Sequence, residues 1–243
     1  AVLPIGPDGR LAPPSDVRQH VGSGPRPAQA GPHAHFVAFD PAGRHLLACD
    51  KGTDQVMVYR LDAAAGRLQP HDPPSAPLHA GAGPRHLVFS SDAAFVYVNN
   101  EQDSTVSAFA YDAARGALRH LQTEPSLPAG ADERNTTSEI ALHPNGRFLY
   151  VSNRGHDSIA IFALDRASGR MSVLGHQPSE GKTPRFFALD PSGSFLFACN
   201  QNSDTIVTFR VDGREPSGRG RLEPTGRVAA VPSPVCMVFA GAA

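Results

Sequence analysis

The chain has 243 residues, with 22 Lys and Arg set against 23 Asp and Glu, and its net charge of −1 offers no global field for nucleic acid or a membrane surface. It contains no run of 18 apolar residues, which excludes a membrane-spanning helix from the expectations. The 23 Gly and 23 Pro fit a chain of many turns and few helices.

In chain order, residues 1–5 read as the third strand of a repeat, GPDG as its hairpin turn, and the residues from Arg10 as a fourth strand. A Gly/Pro loop over 18–30 leads into a unit, GPHAHFVAFDPAGRHLLACDKGTDQVMVYRLD (31–62), that recurs at 81–112, 138–165 and 183–212. In the 81–112 copy, strands are predicted over 85–90, 94–99 and 105–111, each rich in Val, Phe, Tyr or small apolar residues. The aligned residues Asp50, Asn100, Asn153 and Asn200 are 50, 53 and 47 positions apart, a period that suits a four-stranded blade. The fold class is therefore all-β, a single β-propeller of four-stranded antiparallel blades, with about five blades present. The expected boundaries are a partial blade over 1–31, complete repeats over 32–83, 84–137, 138–182 and 183–231, and an inner strand over 232–243 that joins residues 1–17 to close the ring. A polar insertion, PSLPAGADERNTT (125–137), is expected as a rim or lid, and GREPSGRGRL after residue 212 as an expanded hairpin loop.

An antiparallel blade brings the start of its first strand and the end of its second to one rim, with the DPAG-type turns opposite. At strand starts stand His35, Arg85, Ser138 with Glu139, Arg185 and Val235; just after second strands stand Lys51, Glu101, Arg154 and Gln201. Blades need no particular residue there, yet charge changes sharply from one to the next, as expected of a site built on a scaffold. Arg85, Arg154 and Arg185 are permanently charged forks suited to carboxylate or phosphate, and would equally serve as rim ion pairs. His35 is the best general acid or base, and Glu101 among arginines is a better orienter than base. His86, one residue past Arg85, is expected to point the opposite way, into a blade interface. His143 and His156 are expected on solvated turns. His33 and His35 form an H-x-H, but no third ligand is evident, so no metal is expected. Cys49 and Cys199 hold the same repeat position in distant blades and read as buried thiols of a reducing, cytoplasmic setting.

The segments GPHAH (31–35), GAGPRHLVF (81–89), NNEQDSTV (99–106), LHPNGRFLYVSNR (142–154) and TPRFFALDPSG (183–193) resemble the lactonase family of seven-bladed β-propellers, which holds propeller-type 6-phosphogluconolactonase and carboxy-cis,cis-muconate cyclase. GPRH followed by N-E sixteen residues after the Arg is the most specific element. The resemblance implies catalytic roles for His35, Arg85, Glu101 and Arg154, and an anion-binding role for Arg185. It implies a small anionic lactone or sugar phosphate as substrate and no cofactor. Against seven blades, the chain is expected to lack about two and a strand from the N-terminal side. The resulting expectation is a lactone hydrolase acting on 6-phosphogluconolactone, with Arg185, His33, Glu139 and Lys51 contacting substrate and with no nucleic-acid or membrane partner. The alternatives are a carboxy-muconate-type lactonizing cycloisomerase and a non-catalytic binding propeller.

Overall fold

The structure, a computed structural model, describes residues 1–131, 134–212 and 218–240. Sixteen strands form four antiparallel four-stranded sheets, each in chain order. The first holds β1 (Ala34–Phe39), β2 (Leu46–Asp50), β3 (Gln55–Asp62) and β4 (Arg67–Pro77). The second holds β5 (Pro84–Phe89), β6 (Phe95–Asn100), β7 (Thr105–Asp112) and β8 (Ala117–Pro125). The third holds β9 (Thr136–Leu142), β10 (Phe148–Arg154), β11 (Ser158–Leu164) and β12 (Met171–Pro178). The fourth holds β13 (Pro184–Leu189), β14 (Phe195–Asn200), β15 (Thr205–Asp212) and β16 (Arg221–Ala230).

The strand sequences follow from their depth. FVYVNN and FLYVSNR, the second strands β6 and β10, are almost wholly buried because neighbouring blades cover both faces, and β-branched and aromatic residues suit such a setting. The fourth strands are largely exposed and tolerate Pro and charge. The apolar core lies between blades. Leu47, Cys49 and Val56 pack with Leu87, Val96 and Phe109. Tyr97 and Val106 pack with Leu149 and Phe162, and Tyr150 and Ile161 with Phe187 and Phe209. This stacking of blades through shared apolar layers is the β-propeller arrangement.

Both ends differ from the sequence expectation. Residues 1–17 turn back on themselves at GPDG as expected, but as the isolated antiparallel bridges Val2↔Asp16 and Ile5↔Leu11 rather than two regular strands, because Pro4, Pro7, Pro13 and Pro14 lack the N–H that a ladder needs. The segment instead clips onto β4: the Leu68 N–H donates to Asp16 Oδ2 at 2.7 Å and Ser15 Oγ donates to Gly66 O at 2.7 Å. Residues 232–240 form no strand, so the expected closing strand at Val235 is absent. Pro232 and Pro234 interrupt the segment, and it lies on the fourth blade with the Phe239 ring 5.6 Å from Phe197. Among the described residues there are thus four blades rather than about five. His143 is also buried, not solvated, with Nε2 2.9 Å from Gly193 O; His156 is exposed as expected. Residues 213–217 of the expanded loop after residue 212, and Asp132 and Glu133 of the insertion, lie outside the described residues.

Candidate active site

Each first strand carries the same irregularity at its start. Ala34 pairs with Asp50 and Phe36 with Cys49, leaving His35 as an extra residue in the ladder. Arg85 and Arg185 are extra in the same way, between Pro84 and His86 and between Pro184 and Phe186. In the third blade the shift falls where Ser138 and Glu139 together face Ser152. A β-bulge at the inner edge of every blade bends the strand and re-aims its side chains, so strict alternation fails there. That is why His86 does not turn away from Arg85 as expected. Its ring lies 5.1 Å from His35 and 4.7 Å from Phe36 (centroid distances), and Nε2 is 3.0 Å from Arg85 Nη1.

The second strands end on buried residues that pin the rim. Asp50 accepts the His33 N–H at 2.7 Å and the Gly52 N–H at 2.9 Å, and its other oxygen lies 2.5 Å from His20 Nδ1. Gly52 is required there, since a Cβ would stand 2.0 Å from Gly31 O and push the GPHAH segment off the rim. Asn153 donates to Ser126 O at 2.8 Å and accepts from Ser126 Oγ at 2.7 Å and Asn135 Nδ2 at 3.2 Å. Both ends of the 126–135 insertion are thereby tied down beside Arg154.

Glu101 is the hub. Lys51 Nζ donates to its Oε1 at 3.0 Å, Arg85 Nε donates to its Oε2 at 3.0 Å, and Arg154 Nη2 lies 3.5 Å from Oε1. Burial opposes ionisation of this carboxyl, but Arg154, Lys51 and Arg85 outweigh it and hold it below the usual carboxylate range. Arg85 also donates through Nη1 to Ser138 O at 2.6 Å, and Arg154 through Nη2 to Thr137 O at 3.0 Å. Burial, then the neighbouring Arg154, lowers Arg85 to about 10, so it stays charged at neutral pH. Arg185 is close enough to disfavour the charge on both other arginines, yet its half-buried guanidinium has no partner among the described residues.

Among the charged and imidazole side chains of this rim, His35 Nδ1 and Arg154 Nε are buried without a hydrogen-bond partner, and Thr53 Oγ1, Asn100 Oδ1 and Asn200 Oδ1 at the second-strand ends are left unpartnered too. Buried orphan atoms are rare in folded proteins unless a ligand or water completes them. Burial, then the nearby Arg85 and His86, drives the His35 pKa down to about 3, so the ring is neutral at working pH and offers one accepting nitrogen. The His33 ring is exposed, 6.5 Å from His35. All eight residues singled out in the sequence therefore fall at one rim. Lys51 and Glu139, expected to contact substrate, each have a partner within the protein: Lys51 pairs with Glu101, and Glu139 Oε1 lies 3.1 Å from His86 Nδ1. His86 is the site residue that alternation missed; the bulge-prone start of each aligned repeat was the signal for it.

The profile of the family described as Lactonase, 7-bladed beta-propeller, matches residues 1–239. The chain belongs to this family. It is 36% identical over 239 residues to a 6-phosphogluconolactonase of Bacillus subtilis, covering 98% of this chain and 66% of the relative. It is 35% identical over 187 residues to a 6-phosphogluconolactonase of Pectobacterium carotovorum, covering 77% of this chain and 53% of that one. Among solved structures, a periplasmic gluconolactonase of Pseudomonas aeruginosa superposes with a TM-score of 0.92 at 39% identity, covering 98% of this chain and 65% of its own. The chain thus spans between about half and two thirds of these relatives' lengths.

Proposed function

We propose that the rim hydrolyses a small anionic lactone, with 6-phosphogluconolactone as substrate and 6-phosphogluconate as product. The observation that carries this reading is the unpartnered nitrogen of a neutral His35 beside two guanidiniums held in place by one carboxylate. Water attacks the lactone carbonyl carbon while His35 accepts its proton, the negative charge of the bound substrate offsetting the cations that help hold the ring's pKa at about 3 in the free protein. The tetrahedral oxyanion is stabilised by N–H groups of Arg85 and Arg154. When the ring C–O bond breaks, His35 returns the proton to the departing oxygen, leaving a hydroxy acid that ionises and releases one proton to solvent. Glu101 takes no proton; its charge offsets and orients Lys51, Arg85 and Arg154. Arg185, a guanidinium without an acceptor among the described residues, is suited to the phosphate group, with His33 at the mouth.

The names of the Bacillus and Pectobacterium relatives support this substrate class. We read the compartment as cytoplasmic from Cys49, Cys199 and Cys236, all free thiols, although the Pseudomonas structure is of a periplasmic protein. Arg85→Ala is expected to lower kcat/KM for the lactone by roughly 100- to 1000-fold, as loss of an oxyanion donor does, with the circular dichroism spectrum unchanged. Unaltered turnover in a folded Arg85→Ala protein would remove Arg85 from the reaction.

A further inference from the structure

We infer that His86 and Glu139 form a positioning pair that fixes the guanidinium of Arg85 through a single imidazole tautomer; this inference rests on the lactone-hydrolase reading for its kinetic consequence, though not for its geometry. Arg85 Nη1 can only donate, so His86 Nε2, 3.0 Å away, must be the accepting, unprotonated nitrogen. The proton then sits on Nδ1 and is donated to Glu139 Oε1 at 3.1 Å. Glu139 is itself set by its own backbone, for Oε1 also accepts the Ile140 N–H at 3.0 Å and the Glu139 N–H donates to Ser152 Oγ at 2.9 Å. The ring is wedged between Phe36 on one side and the third blade on the other.

The alternative tautomer would place an Nε2–H against the Arg85 N–H, donor against donor, and leave Glu139 Oε1 without the ring's proton. A carboxylate that selects the tautomer of an adjacent imidazole is a recurring way to orient a working group. Here the group oriented is Arg85. Its Nε is held by Glu101 and its Nη1 by Ser138 O and His86, and none of these bonds uses Nη2. A guanidinium fixed on three sides presents its remaining N–H groups in one direction without reorganisation, the condition under which an oxyanion donor is most effective. The charged and titratable groups facing His86 are Arg85, Glu139 and His35, which bring it one partner on each nitrogen and one neighbouring ring.

Two measurements on the whole chain test this. In two-bond 1H–15N correlation spectra of 15N-histidine-labelled protein, with His86→Gln used for assignment, His86 is expected as the Nδ1–H form; an Nε2–H form would overturn the inference. In kinetics with 6-phosphogluconolactone, His86→Phe fills the same space but offers no acceptor and is expected to lower kcat by about 10- to 100-fold with KM little changed. His86→Gln, whose amide oxygen can reach the Nε2 position, is expected to recover most of that loss. Equal losses in Phe and Gln variants, or none in either, would overturn the positioning role. Glu139→Gln keeps an accepting oxygen and is expected to exceed Glu139→Ala in kcat; the reverse order would count against it. The tautomer spectrum needs no turnover, so an Nδ1–H signal in an inactive protein would sink the lactone reading while leaving the anchored geometry standing, and turnover with an Nε2–H signal would sink the inference alone.

Discussion

His35 is held neutral by burial and by the cationic groups around it, and this has a consequence for folding that can be read without substrate. Its ordinary pKa near 6.5 applies to the unfolded chain, whereas the folded chain does not protonate it until about pH 3. Between these values the unfolded state binds the extra proton, so His35 contributes a loss of stability as pH falls through that window. His35→Gln, which cannot titrate, is expected to flatten the pH dependence of urea midpoints between pH 6.5 and 4 relative to the parent chain; an identical slope would contradict the burial and charge assigned to His35. At this scale the sequence showed His35, Arg85, Glu101, Arg154 and Arg185 at one rim, because aligned repeats put equivalent positions at equivalent places. It did not show which side chains pair with which. Lys51 and Glu139 looked free for substrate, and the side chains that pair with them, Glu101 and His86, lie on other strands or past a bulge that the two-residue alternation of strands does not express.

The bulged first strands and the Asx-terminated second strands are the elements that turn repeats into a site. Asp50, Asn100, Asn153 and Asn200 are fully buried; Asp50, Asn153 and Asn200 bind the adjoining rim loops, while Asn100 donates to Thr105 and Ser107 on β7 of its own blade. Asn153→Ala removes the acceptor of Ser126 Oγ and Asn135 Nδ2 and the donor to Ser126 O. A buried group left unpaired costs about 1–3 kcal/mol, so this variant is expected to unfold at lower urea concentration and to weaken the seat of the adjacent Arg154. Equal midpoints for variant and parent would show that water replaces the lost bonds without cost. These Asx residues were visible as the best markers of the repeat period, while their structural work was not. The strands themselves were legible from β-branched and aromatic runs between turn residues. The two end segments were legible only in part: 1–5 pair with 11–16 across the GPDG turn as expected, though as isolated bridges rather than a ladder because of the prolines, whereas 232–240 form no strand.

Over the whole molecule, four blades sealed by three apolar layers hold the rim residues on strands and short turns. The outward side of β1 leaves Val37 and Phe39 exposed, and Val238 is exposed at the other end, so apolar surface lies open at both ends of the stack. The balanced net charge conceals a local field: three arginines and a lysine meet at one rim around Glu101. That concentration of cations about a neutral imidazole suits the anionic ester proposed as substrate, and the residues named for it all lie on these four blades. The central claim is tested most directly by the initial rate of proton release when the chain is added to freshly generated 6-phosphogluconolactone, corrected for spontaneous opening. The account predicts enzyme-dependent release that His35→Ala abolishes; a folded chain that releases no protons above background, or a His35→Ala protein as active as its parent, would contradict it.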